Sequence, residues 1–177
     1  IGTELCCDYA DKEYSIPKLF IINMLDKDHT DFDLVLAALQ DRYGRSVFPF
    51  TLPVNPGPGF NQVADVLRKE TFIFQGDGSG NYAAVSSEGD WGKRLEDFHN
   101  ELIELIAESD ESLLEIFFDK GELSEDELRS GLHLALKSDG LIPVFCVAGE
   151  SNIGVKRMMD ILAKYAPCAG DFEKVVG

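Results

Sequence analysis

The chain has 177 residues, 45% of them hydrophobic, enough for a sizeable core in one domain or two small ones. Its formal net charge of −16 excludes a broad grip on phosphate backbones. No apolar run is long enough to span a bilayer and no signal peptide is visible. Cys6, Cys7, Cys146 and Cys168 lack C-x-x-C spacing and nearby histidines, which argues against zinc or a disulfide framework and fits a reducing cytosol.

The chain opens on Ile1, and Leu5, Cys6, Tyr9 and Ala10 form a helical apolar stripe, with Thr3, Asp8 and residues 11–13 on the polar side. So direct an entry into a core helix, running to about Tyr14, is expected of a piece of a longer chain. Residues 18–26 organise the rest of the chain. The run Leu19-Phe20-Ile21-Ile22 after Pro17 reads as a strand buried on both faces, and it stops at Asn23-Met24-Leu25-Asp26. In open α/β sheets ligands bind at the carboxyl ends of strands, where Asn23 and Asp26 fall. A carboxylate there can accept two N–H groups, as guanine N1 and N2 offer, while the amide braces the loop or touches the base. Such a turn also occurs as turn chemistry alone.

Asp31 can cap a helix whose Phe32, Val35, Leu36 and Leu39 share an apolar face, ending near Gly44. Residues 47–54 are strand-like but broken by Pro49 and Pro53, which predicts an edge strand and a poor continuation of a parallel sheet. Residues 63–74 read as a strand or strand pair, residues 76–81 as a turn, and residues 82–85 as a returning strand, together an antiparallel meander. Helices are predicted from Trp91 (Leu95, Phe98, Leu102, Leu105, Ile106), at Leu113, Leu114, Ile116 and Phe117, and after the capping box opened by Ser124 with Glu127 (Leu128, Leu132, Leu134, Leu136). Residues 141–147 form a second buried apolar strand, residues 148–152 its carboxyl-end loop, and residues 153–165 an amphipathic helix stopped by Pro167. The expected fold is α/β: a parallel sheet with flanking helices, interrupted by an α+β insert. Its predicted parts are residues 1–45, an insert at 46–139, and 140–177.

Other motifs fall away. Gly92-Lys93 lacks the Gly and Ser/Thr of a phosphate-binding loop, and the glycines at 76, 78 and 80 open no helix. The aspartates at 26, 28, 31 and 33 lack the glycine of a calcium loop. His29, His99 and His133 share no ligand spacing, and no nucleophile arrangement is visible, so no catalytic or metal-binding residue is assigned.

With these motifs the chain resembles the second half of the guanine-nucleotide-binding domain of the elongation factor G family of translational GTPases. Asn23-Met24-Leu25-Asp26 stands at the family's N-K-x-D motif. Pro143-Val144-Phe145-Cys146-Val147-Ala148-Gly149, then Asn152-Ile153-Gly154-Val155, stands at its P-V-x-C-G-S-A and N-x-G-V. Leu52-Pro53-Val54 with Phe60 and Asp65 resembles the start of the family's G′ insert, residues 107–114 its acidic helix pair, and Tyr165-Ala166-Pro167 its exit from the domain. The resemblance implies a P-loop-NTPase-type parallel sheet and a guanine site of Asn23, Met24, Asp26, Val147, Ala148 and Gly149. It also implies GTP or GDP as ligand, cytoplasmic action on the ribosome, and contact of G′ with acidic stalk proteins of the large subunit. Met24 replaces a lysine and Val147-Ala148-Gly149 replaces G-S-A. Methionine can still cover a purine face, and the second loop acts through a backbone N–H.

No phosphate cradle, magnesium ligand or water-positioning residue has a candidate here, so this chain alone is expected to hydrolyse no GTP. The family places those parts, and a parallel neighbour for residues 18–23, upstream of Ile1. The expected consequences are an open strand edge able to pair with another copy, and an insert better ordered than the rest. Two further readings stay open: an elongation factor G-like interaction module with weak or no nucleotide binding, and a flavodoxin-like or other α/β enzyme.

Overall fold

A computed structural model describes residues 2–10 and 16–171. Two sheets form the frame: a 3-stranded parallel sheet and a separate 4-stranded antiparallel sheet. The parallel sheet contains β1 (Phe20–Ile22), β2 (Val47–Pro49) and β7 (Ile142–Cys146), in the order β1-β7-β2. The antiparallel sheet is a meander of β3 (Thr51–Pro53), β4 (Gln62–Asp65), β5 (Glu70–Phe74) and β6 (Tyr82–Val85). Helices α1 (Gly2–Tyr9), α2 (Phe32–Tyr43) and α6 (Val155–Tyr165) accompany the first sheet in sequence, and α3 (Gly89–Ala107), α4 (Glu111–Lys120) and α5 (Glu125–Lys137) follow the second. The α/β class with an α+β insert is therefore the observed architecture.

Local chemistry sets the helix limits. Asp31 accepts the Leu34 N–H at 2.9 Å to start α2. Asp110 caps α4, and Ser124 with Glu127 completes the capping box of α5. In α3, Leu95, Leu102 and Ile106 are buried as the spacing predicts, with Phe98 and Leu105 packed beside them.

Four readings are corrected. The strand β1 is not buried on both faces: Ile21 is 46% exposed while Phe20 and Ile22 are buried. An apolar run shows that a strand can be covered, not which face is. The strand β2, despite Pro49, pairs in parallel with β7 through Val47↔Ile142, Phe48↔Pro143 and Pro49↔Val144. Pro49 is tolerated because β2 is an edge of its sheet, and the chain crosses to the second sheet immediately after it. In α1 the buried residue is Cys7, beside Tyr43, while Leu5, Cys6 and Tyr9 are exposed; the expected extension through residues 11–14 lies outside the described residues. Val35 and Leu134 are also exposed, off the buried faces of α2 and α5.

The strand β1 has no second strand partner among the described residues. Its start is pinned instead. Asp139, at φ +55°, accepts the Lys18 backbone N–H at 3.2 Å and lies 2.5 Å from its ammonium. The core at β7 includes Phe145 against Phe50 and the fully buried Cys146, whose thiol burial pushes up to about 12, which leaves it inert as a nucleophile.

The two sheets meet where the Cys146 N–H of β7 donates to Thr51 Oγ1 of β3 at 2.9 Å, and a buried ion pair fastens α6 to the antiparallel sheet. Arg157 of α6 reaches Asp65 of β4, with Nε 2.6 Å from Oδ2 and Nη2 on the same oxygen. Asp65 is fully buried, and its Oδ1 accepts the Arg68 N–H at 3.0 Å. The Arg157 guanidinium also lies over the Phe72 ring, 5.5 Å from its centre.

Candidate functional site

The site stands at the carboxyl ends of β1 and β7. Their register pairs Phe20 with Val144, Ile21 with Phe145 and Ile22 with Cys146, so Asn23 and Val147 leave the sheet side by side. Pairing continues one step further: Val147 N–H donates to Ile22 O at 3.0 Å, and Leu25 N–H to Val147 O at 3.3 Å. Two loops separated by more than a hundred residues in sequence are thereby held against each other.

The second loop is closed on itself. Ala148 and Ile153 exchange both backbone hydrogen bonds at 3.0 Å. Gly154 ends it at φ +78°, where an added Cβ would lie 2.6 Å from the Cys146 carbonyl oxygen. Only glycine meets both conditions, which gives the N-x-G-V spacing a physical reason. Val147 and Ala148 are buried, and their N–H groups are already bonded inside the protein. The Gly149 N–H crosses to the other loop and donates to Asn23 Oδ1 at 2.9 Å.

Asn23, Asp26 and Gly149 are thus brought together, on an open shelf. Asn23, Met24, Gly149 and Glu150 are exposed, and the Asp26 side chain is 18% exposed. With its oxygen on Gly149, Asn23 presents its Nδ2 donor outward. Asp26 Oδ2 lies 3.4 Å from Ser151 Oγ and 3.4 Å from the Lys27 ammonium, and its other oxygen makes no hydrogen bond to the described residues. Met24 is 62% exposed and sits at φ +63°, a backbone conformation that costs a non-glycine residue roughly 1 kcal/mol.

Sequence reasoning missed Lys27, Glu150, Ser151 and Asn152. The Lys27 ammonium bridges the loops, 2.9 Å from Glu150 Oε2, and the hydrogen bond to Glu150, then that to Asp26, raises its pKa. Its place directly after Asp26 was the available signal. Chemically, the shelf offers one carboxylate acceptor and one amide donor, beside a Gly149 N–H held by Asn23. That set complements a planar ring with adjacent N–H groups and a nearby carbonyl or ring nitrogen. Among the described residues no group of three or more His, Cys, Asp or Glu is placed to hold a metal ion, and no helix is long and apolar enough to cross a membrane.

The fold and shelf define an α/β protein with two converging loops at the carboxyl edge of a parallel sheet and an antiparallel insert between them. A solved structure from Thermus thermophilus shares this fold, with a TM-score of 0.86 and 24% sequence identity over 97% of this chain. This chain spans 25% of the length of that one. No protein-family model matches the sequence.

Proposed function

We propose that this chain is the guanine-recognition part of the G domain of an elongation factor G-like translational GTPase, acting on the cytoplasmic ribosome in protein synthesis. The observation that supports it most is the convergence of Asn23, Asp26 and Gly149 from two loops onto one shelf. In this reading Asp26 accepts guanine N1–H and N2–H, Asn23 Nδ2 faces the O6 and N7 side, and the Gly149 N–H exchanges Asn23 Oδ1 for the base when it binds. The Met24 side chain covers a ring face. Val147 and Ala148 act by holding the loop. No residue of this chain is assigned to the phosphates of GTP or GDP, to magnesium or to the attacking water. The antiparallel insert is the surface for the acidic stalk proteins of the large subunit, and the outer edge of β1 pairs with the rest of the G domain or a second copy.

A second reading, an interaction module of the same family with little nucleotide affinity, has its own support. The Gly149 N–H is already spent on Asn23, and Lys27 competes for Asp26. Equilibrium binding at millimolar ligand separates the two. The guanine reading expects GDP to bind more tightly than IDP, which lacks the 2-amino group, by roughly tenfold, the loss of about one charge-assisted hydrogen bond. ADP, which turns a ring acceptor toward Asp26, binds weakest. Equal affinity for all three supports the interaction module instead.

A further inference from the structure

The second loop is also held from the insert. The turn between β5 and β6, residues 75–81, lies against Asn152, whose Nδ2 donates to the Gly78 carbonyl oxygen at 3.2 Å. The approach is close: a Cβ on Gly80 would lie 2.6 Å from Asn152 Nδ2 and 3.0 Å from its Cγ. Gly80 sits at φ +69° and Asn152 at φ +56°, conformations suited to glycine and asparagine. Asn152 N–H in turn donates to the Gly149 carbonyl at 3.3 Å, and Gly149 N–H reaches Asn23. A continuous path of contacts therefore runs from the insert's turn to the shelf. The hairpin carrying the turn is itself fastened to α6, where Tyr82 Oη donates to Asp160 Oδ2 at 3.1 Å.

We propose that the 75–81 turn is a positioning element for the base loop, with Asn152 as the positioning residue and Gly80 as its contact point. Displacing the hairpin re-aims the Gly149 N–H, so that a ligand bound to the insert and a base bound on the shelf influence each other's affinity by roughly fivefold or more. The mechanical part stands on the contacts alone; the coupling to a base rests on the guanine reading of the shelf.

Three substitutions separate the elements. Gly80→Ala forces a side chain into Asn152. Asn152→Gly keeps the backbone conformation but removes the amide, and Asn152→Asp keeps the shape but removes the donor. Gly121→Ala is the control, because Gly121 has φ +76° with nothing within 4 Å of its added Cβ. The expected result is that Gly80→Ala shifts the Gly149 and Ile153 amide resonances and speeds their hydrogen exchange about fivefold. Gly121→Ala leaves both amides unmoved. In an Asn152→Gly background, Gly80→Ala no longer moves Gly149, the non-additivity expected of groups in contact. Asn152→Asp alone shifts Gly149 in a chain whose fold is undisturbed, which keeps the test open should Gly80→Ala fail to fold. A Gly80→Ala effect confined to the turn, or the same in both backgrounds, overturns the proposal. Adding GMP divides the two readings: Gly149 responding to Gly80→Ala without GMP binding in any variant sinks the base reading and leaves the positioning element. GMP binding with Gly149 indifferent to Gly80→Ala does the reverse.

Discussion

Replacing Arg157 with alanine is expected to lower the stability of this chain by about 3–5 kcal/mol, because it leaves the carboxylate of Asp65 buried without its charge partner. Asp65 has no exposed surface and Arg157 is only 5% exposed, so water cannot take over the lost contact without the structure opening. The guanidinium also packs on Phe72, and that contact is lost with it. For a chain of this length the change corresponds to a fall of roughly 6–20 °C in Tm. Urea denaturation followed by circular dichroism measures it. The double replacement Arg157→Met with Asp65→Leu is the informative companion. It removes both charges together and is expected to restore most of the stability, since the single variant suffers from an orphaned charge. A loss under about 1 kcal/mol for Arg157→Ala contradicts the buried pair as the tie between α6 and the antiparallel sheet.

Asp26→Asn is expected to shift base preference from guanine toward xanthine. In the proposed guanine reading the carboxylate accepts from two N–H groups of the base, whereas the amide places one donor beside an acceptor. Xanthine, with a carbonyl in place of the 2-amino group, matches that pattern. The preference for guanosine over xanthosine nucleotides is therefore expected to fall by about 1–3 kcal/mol, roughly 5- to 150-fold. Lys27 sharpens the expectation: its attraction to position 26 weakens when the carboxylate is gone, which leaves its ammonium to Glu150. Competition binding with GDP and XDP reads the change, and an unaltered preference removes Asp26 from base recognition.

Much of this architecture was legible because it rests on short-range chemistry. The Asp31 cap, the Ser124 and Glu127 capping box, and the meander's short turns each follow from residues within a few positions of one another. The shelf was legible for a related reason: two apolar runs each end in a polar loop, and parallel strands place such ends on one side. What sequence left undecided depends on distant partners. Ile21 looks like core because every residue of its run is apolar, yet one side of β1 is uncovered. The edge position expected of Val47–Pro49 holds, but its parallel pairing with β7, more than ninety residues away, has no local signal. In α1 the stripe at Leu5, Cys6 and Tyr9 lost to Cys7, since one short helix carries too few apolar residues to fix its own orientation. The contacts Lys27 to Glu150 and Asn152 to Gly78 join segments far apart in the chain, and no local pattern announces them.

The most direct test of the guanine shelf is a proton–nitrogen correlation spectrum of the isotope-labelled chain, titrated with GDP and, separately, ADP to millimolar concentration. Weak binding suffices for this measurement, since contacts to the base on an exposed shelf must offset the ordering cost of the ligand. The shelf predicts that GDP moves the Gly149 amide and the Asn23 side-chain amide together, with Asp26 beside them, and that ADP leaves all three in place. Identical shifts with both nucleotides, or GDP shifts that avoid Asn23, Asp26 and Gly149, would contradict it.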